Sequence, residues 1–192
     1  MLRGVHLMRV TPAPALETLD RLAAGLARLL RVSCHVTTEE FDGRFAFDPL
    51  RRQTYSTALL AQLAQAPLPE GVALLAVTEA DLFVPVLTFV FGEAQMPGRA
   101  ALVSLARLRE EFYGLPADTG RLDERLLKEG LHELGHTQGL RHCDDWRCVM
   151  VSSHAVEKLD LKDADFCAAC KRRLAGNGPG PKAPAKRWGG LM

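Results

Sequence analysis

Eleven residues, His132–His142, place three histidines and a glutamate in the pattern H-E-x-x-H-x-x-G-x-x-H. His132 and His136 are four residues apart, so on a helix they project from one face, one turn apart. This spacing allows both imidazoles to bind one Zn²⁺ ion at about 2.0–2.1 Å per nitrogen. Gly139 allows the chain to turn out of the helix, so that His142 can return as a third ligand.

Three histidine ligands leave the fourth tetrahedral position for water, which is typical of a catalytic rather than a structural zinc. Glu133 directly follows the first ligand and is placed to take a proton from that water. The sequence therefore predicts zinc-assisted hydrolysis with Glu133 as the general base. A surface helix with unrelated histidines is the alternative, and the spacing of all three histidines disfavours it.

Four of the five cysteines follow this motif. Cys167 and Cys170 form C-x-x-C, which brings two thiolates to one ion, and Cys143 and Cys148 form a looser pair. Together they suit a structural zinc at about 2.3 Å per sulfur. A redox pair or a disulfide is the alternative, because C-x-x-C alone is ambiguous. Cys34 stands apart and is interpreted as a buried free thiol.

The two predicted metal sites are adjacent in the chain, because Cys143 directly follows His142. Neighbouring side chains of an extended segment point in opposite directions, so one peptide unit can serve both ions. Residues 143–170 contain few apolar side chains, and we expect a metal ion to hold their shape. Loss of the second zinc should therefore loosen His142 and weaken the first site.

Apolar runs and helical leucine spacing predict the elements that position these ligands. We expect strands at 5–10, 32–38, 72–78, 87–91 and 99–108, and helices at 15–30, 53–65 and 121–138. Residues 39–52 are charged and aromatic, which predicts a long loop. Two glycines inside the last helix, Gly130 and Gly135, each cost about 1 kcal/mol of helix propensity relative to alanine. This cost indicates that close packing or backbone room is needed near the metal.

The order strand, helix, strand, helix, strand indicates right-handed crossovers and a mainly parallel sheet. Residues 87–91 follow a short connection and are expected to form an antiparallel edge strand, whose free backbone groups can pair with an extended peptide. An edge strand without that role is the alternative. The predicted fold class is α/β (α+β): a mixed, mainly parallel twisted sheet with flanking helices, an active-site helix and a zinc-stapled C-terminal segment.

Length and composition predict one domain over residues 1–175 and a flexible basic tail over 176–192. Six of the 24 Lys and Arg residues follow residue 170, and no acidic residue follows Asp165. Such a tail can contact nucleic acid, but a solvated tail is more common, and we expect no nucleic-acid partner. The N-terminus lacks the apolar core of a secretory signal, and no apolar run of about 20 residues could span a membrane. These features predict a cytoplasmic protein without a membrane partner.

These motifs together resemble the archaemetzincins, a metzincin-clan group of small metallopeptidases. The resemblance is carried by H-E-x-x-H-x-x-G-x-x-H-C at 132–143, Cys148-Val149-Met150 and the Cys167–Cys170 pair. Residues 88–94, 98–101, Lys128-Glu129 and Asp165-Phe166 are also similar to the family, which the chain resembles over roughly residues 4–174.

The resemblance implies a mixed sheet with three main helices and two zinc ions, one catalytic and one structural. It implies that Glu133 is the general base and that Met150 is the residue of the methionine turn beneath the metal. The implied ligands of the catalytic zinc are His132, His136 and His142, and those of the structural zinc are Cys143, Cys148, Cys167 and Cys170.

We therefore expect a zinc-dependent peptidase whose partner is a peptide substrate. The short chain favours a small or narrow cleft for short or restricted-access peptides, and aminopeptidase activity is one form of this function. A catalytically silent, zinc-containing module that binds peptides or proteins is the alternative. His154 and Arg141 are candidate second donors to the oxyanion, although a surface role is the favoured interpretation of each.

Overall fold

The computed structural model describes residues 2–176, so the predicted basic tail lies almost entirely outside the described residues. The strands within this range are β1 (Gly4–Val10), β2 (Ser33–Phe41), β3 (Phe47–Asp48), β4 (Gln53–Tyr55), β5 (Val72–Thr78), β6 (Leu82–Phe83), β7 (Gly92–Ala94) and β8 (Ala100–Ser104). The α-helices are α1 (Leu16–Leu30), α2 (Ser56–Leu63), α3 (Thr119–Thr137), α4 (Val156–Leu161) and α5 (Ala168–Leu174). Short 3₁₀ helices span Arg44–Ala46 and Glu110–Tyr113.

The main sheet has the strand order β2-β1-β5-β8-β7. Four of its strands are parallel, and β7 is an antiparallel edge strand paired with β8. β5 is buried from Ala73 to Thr78, as expected for a central strand covered on both faces. The predicted mixed, mainly parallel sheet with an antiparallel edge is confirmed.

Helices cover both faces of this sheet. Because successive strand residues point to opposite faces, Leu75 of β5 packs in the cluster that contains α1 and α3, while Leu74 packs in the cluster that contains α2. Leu22 of α1 and Leu131 of α3 belong to the first cluster, and Leu59 of α2 belongs to the second. The active-site helix is thus fixed against the sheet by a continuous apolar core.

The position of the edge strand differs from the prediction. Residues 87–91 are not a strand; their one ladder contact is an isolated bridge between Val90 and Leu82. Two of their backbone acceptors are taken by a side chain, since Arg51 Nη2 donates to the carbonyls of Leu87 and Thr88 at 3.0 and 3.1 Å. The Phe91 carbonyl instead accepts from the backbone N–H of Ser104 at 2.8 Å. The edge strand begins only at Gly92, where β8 becomes its partner.

Several other boundaries differ because tertiary pairing extends or interrupts a local pattern. β2 continues to Phe41 because it pairs with β1 as far as Val10. The predicted helix at 53–65 begins at Ser56, because Gln53–Tyr55 form β4 of a second sheet with the order β3-β4-β6. The strand expected at 99–108 covers only Ala100–Ser104. Within the described range, no helix combines the length and the apolar character needed to cross a membrane.

Candidate metal centre

Helix α3 carries the first part of the centre. The Asp118 carboxylate accepts a hydrogen bond from the backbone N–H of Arg121 at 2.9 Å and caps the helix N-terminus. At the other end Gly139 has φ +83°, and its N–H donates to the His136 carbonyl at 2.9 Å. This left-handed residue reverses the chain and returns His142 to the face that carries His132.

The three histidines converge as the spacing predicted. Their ring centroids are 4.6 Å apart for His132 and His136, 5.0 Å for His136 and His142, and 5.3 Å for His132 and His142. One ring nitrogen from each lies within 4.8 Å of the others. The helix therefore supplies two imidazoles, and the turn after it supplies the third.

Backbone carbonyls fix the tautomers of the two helical histidines. His132 Nδ1 lies 2.8 Å from the Val149 carbonyl, and His136 Nδ1 lies 2.7 Å from the Leu140 carbonyl. A carbonyl only accepts, so each Nδ1 carries the proton and each Nε2 presents a lone pair. The two Nε2 atoms are 3.0 Å apart, close to the roughly 3.3 Å expected between tetrahedral ligands of one zinc ion. The donor set thus fits a zinc ion.

The electrostatics of the centre also fit a metal ion. Burial lowers the pKa of His132 well below its usual value and lowers the pKa of His136 and of His142, so the rings are held neutral and able to bind metal. Burial raises the pKa of Glu133 well above its usual value, and Glu129 adds to this rise.

Close packing explains Gly135, one of the two glycines that the sequence analysis singled out in this helix. A Cβ at this position would overlap Met150 Sδ and would lie 3.1 Å from Phe166 Cε1. Met150 is fully buried beneath the helix, so the absence of a side chain lets helix and methionine approach. At Gly130 a Cβ would lie 3.2 Å from Leu75 Cδ2, which is a tight contact with the sheet. Close packing was therefore the right interpretation of both glycines.

The four cysteines form a second group. The Sγ atoms of Cys143 and Cys167 are 3.8 Å apart, as are those of Cys148 and Cys170, and all four lie within 4.8 Å of one another. Four sulfurs at about 2.3 Å from one tetrahedral ion are roughly 3.8 Å apart, whereas a disulfide needs about 2.05 Å. The spacing fits a Cys₄ zinc site and not a disulfide.

One short segment joins the two groups. Cys148 lies in the sulfur group, the carbonyl of Val149 holds His132, and Met150 packs beneath Gly135. The Met150 carbonyl also accepts a hydrogen bond from the N–H of Cys143 at 3.0 Å. Three successive residues, 148–150, therefore connect the sulfur group, His132 and helix α3, each residue making one of these contacts.

The histidine group opens into a cleft of about 590 Å³. One wall consists of residues 87–94 with Met96, and the other carries Glu129, His132, Glu133, His136 and His142. Residues 152–154 complete the lining, so the cleft includes His154, whereas Arg141 is exposed and is not among the residues that line it.

Two acidic residues of the cleft were missed by the sequence analysis as site residues. Glu129 precedes His132 by three residues and Glu133 by four, so helical periodicity alone places it on the same face. Its Oε1 accepts a hydrogen bond from the fully buried Lys162 ammonium at 3.0 Å. Glu93 follows Gly92 on the edge strand, and only the register of β7 shows that it lines the cleft.

Comparison with known proteins agrees with this geometry. A family model described as peptidase family M54 matches residues 67–176. The archaemetzincin of Methanocaldococcus jannaschii is 46% identical over 134 residues, which cover 70% of this chain and 73% of that protein.

Solved structures show the same similarity. The crystal structure of a zinc-dependent peptidase from Methanocorpusculum labreanum superposes with a TM-score of 0.80 at 30% identity, covering 89% of this chain and 100% of that chain. The archaemetzincin of Methanopyrus kandleri has a TM-score of 0.76 at 33% identity, with coverage of 92% and 95%. The chain therefore belongs to peptidase family M54, the archaemetzincins, and is a zinc metallopeptidase.

Proposed function

We propose that this peptidase uses Glu133 as its general base, with His132, His136 and His142 as the ligands of a catalytic zinc. The observation that carries the proposal is the convergence of three neutral imidazoles in the cleft that Glu133 also lines. A zinc ion held there would supply a Lewis acid that activates water and polarises the scissile carbonyl. Glu133 would take the water proton and pass it to the leaving amine.

The environment of Glu133 supports this role. The residue is 5% exposed, and burial raises the pKa of its carboxyl. A carboxylate that binds a proton more readily than usual is suited to accept one from water and to deliver it later. The Glu133 side chain lines the same cleft as His132 and His136.

The second zinc is proposed to bind Cys143, Cys148, Cys167 and Cys170, which gives two zinc ions per chain. The sulfur spacing of 3.8 Å supports this assignment. The role of this ion would be structural, since four thiolates leave no position for water or substrate.

The cleft also favours a class of substrate. Three of the residues that line it are glutamates, and among the described lining residues none is Lys or Arg. Glu129 is paired with the buried Lys162, whereas Glu93 accepts hydrogen bonds from the hydroxyls of Ser56 and Thr57 and has no cationic partner among the described residues. The cleft therefore favours a peptide with a free, positively charged amino terminus over a peptide that would place an acidic group there. Together with the limited volume, this supports short peptides and an aminopeptidase mode of cleavage. The predicted cytoplasmic location is a separate proposal, which rests on the sequence alone.

The substitution Glu133→Gln tests the proposed chemistry. The variant should retain two zinc ions per chain by elemental analysis and lose several orders of magnitude in kcat, because the amide cannot accept a proton. Substrates with free and acetylated amino termini should be compared in the same assay, and acetylation is expected to lower kcat/KM. Unchanged turnover in Glu133→Gln would refute the general base, and absence of turnover in the parent chain would favour a silent peptide-binding module.

A further inference from the structure

The edge strand touches the general base at a glycine. A Cβ built on Gly92 would lie 2.8 Å from both Cγ and Oε1 of Glu133 and 2.7 Å from the carbonyl oxygen of Leu102. Real Cβ atoms do not approach heavy atoms this closely, so a methyl group here would force the Glu133 side chain to move and would also strain the strand at the Leu102 carbonyl. The backbone of β7 thus forms one wall of the space that the Glu133 side chain occupies.

The strand is held more firmly than the side chain. Gly92 pairs with Val103 of β8. The next residue, Glu93, accepts hydrogen bonds from Ser56 Oγ at 2.5 Å and from Thr57 Oγ1 at 2.9 Å, which fasten β7 to the start of α2. Among the described residues none makes a hydrogen bond to the Glu133 carboxylate, so rotation of that side chain is the easiest way to relieve its contact with a new methyl group, whereas the Leu102 contact requires a shift of the strand.

We propose that Gly92 is a positioning residue for catalysis, because its lack of a side chain leaves the space in which the Glu133 carboxylate faces the cleft. This inference rests on the proposed role of Glu133 as general base. A displacement of a catalytic group by about 1 Å can cost about 100-fold in rate. The position therefore requires glycine because two neighbours, the Glu133 side chain and the Leu102 carbonyl, approach it closely, and not because of the conformation of its own backbone.

The substitution Gly92→Ala tests the inference, with Gly43→Ala as the matched control. A Cβ at Gly43 would also be crowded, at 2.7 Å from Val10 Cγ1 and 3.1 Å from the Thr11 carbonyl oxygen. Gly92→Ala should keep its zinc and lower kcat about 100-fold with KM within about threefold of the parent value. Gly43→Ala should lose thermal stability but retain kcat. Full kcat in a zinc-loaded Gly92→Ala would overturn the proposal.

A double-mutant cycle separates a steric effect on Glu133 from a general disturbance of the strand. Glu133→Asp shortens the side chain by one methylene, so this change should lower kcat in the parent chain but cost little more in the Gly92→Ala background. Additive losses would mean that the two residues act independently, and the proposal would fail.

Thermal unfolding gives a second cycle that does not depend on activity. Gly92→Ala should lower Tm less in a Glu133→Ala background than in the parent chain, because one of the two close contacts is then absent. Equal losses, or a Gly92→Ala chain that fails to fold in both backgrounds, would assign the whole cost to the Leu102 contact and overturn the inference. This cycle tests the steric contact by itself, so a missing contact between Gly92 and Glu133 is distinguished from a misassigned general base, which Glu133→Gln would show.

Discussion

The histidine group and the cysteine group lie next to each other in the chain, but their structural settings predict that they depend on a metal ion to different degrees. His132 and His136 are on a helix of 19 residues that packs in the main core. Cys143 and Cys148 lie in the irregular segment after α3, and Cys167 and Cys170 lie at the beginning of the seven-residue helix α5. A helix of that length has little stability of its own. We therefore expect the fold itself to present His132 and His136, and a metal ion to be needed to organise the cysteines.

The largest expected effect comes from removing one ligand of each group. Cys170→Ser should lose the structural zinc, displace the carbonyl of Val149 from His132, and thereby also weaken the catalytic site. Structural zinc sites in small peptides are worth about 10–16 kcal/mol, so a large drop in Tm is expected. His136→Ala should lose only the catalytic zinc and keep most of its stability.

Elemental analysis and thermal unfolding of the two variants test this asymmetry. We expect the zinc content to fall from two toward zero per chain in Cys170→Ser and from two to one in His136→Ala. A Cys170→Ser chain that keeps one zinc and full activity would show that the two regions are independent, contrary to the comparison.

A smaller effect is expected from breaking the ion pair that joins α3 to the segment before α5. Lys162 Nζ lies 3.0 Å from Glu129 Oε1, and both side chains are buried. Lys162→Met should destabilise the fold by about 3–5 kcal/mol, because it leaves the Glu129 carboxylate buried without its partner. Chemical denaturation measures this loss.

The double variant Lys162→Met/Glu129→Leu is the control for this prediction, since it removes both charges. It should recover most of the lost stability. If it is as unstable as the single variant, the contribution of Lys162 lies in packing and not in charge.

The sequence identified the histidine group more completely than its surroundings. The three ligands and Glu133 follow from helical spacing and one glycine, which are local properties. The start of β7 at Gly92 and the start of α2 at Ser56 depend on pairing between strands, which is not a local property. Residues 87–91 were predicted as a strand because they are rich in residues that favour β-structure. No local pattern could show that Arg51 donates hydrogen bonds to the carbonyls of Leu87 and Thr88.

The same distinction applies to the cysteine region. The four ligand positions were evident from their spacing, but α4 and α5 were not predicted because each is shorter than two full turns of clear periodicity. Lys162 was likewise missed, since a lysine at the end of a short helix is normally solvated. Lys162 can be buried because its ammonium group pairs with Glu129, which is 33 residues earlier in the chain.

The smallest expected effect is a pH dependence of the free energy of unfolding that arises from His132. It tests whether the fold holds the histidines in place even without their metal ion. Burial holds the pKa of His132 well below its usual value in the folded chain, whereas in the unfolded chain it titrates near 6.5. Between these two values the unfolded state binds the extra proton, so the free energy of unfolding decreases as the pH falls below about 6.5. The slope for one such group approaches about 1.4 kcal/mol per pH unit.

Denaturation curves between pH 8 and pH 5 test this effect. The sample is protein from which a chelator has removed the catalytic zinc but not the structural zinc. In His132→Gln, which has no proton to gain at this position, the decline in stability should be shallower than in the parent chain. Identical slopes would mean that the ring becomes protonated as easily in the folded chain as in the unfolded one. In that case the metal ion, and not the fold, would hold His132 in its buried position, and the two regions would depend on their metals in the same way.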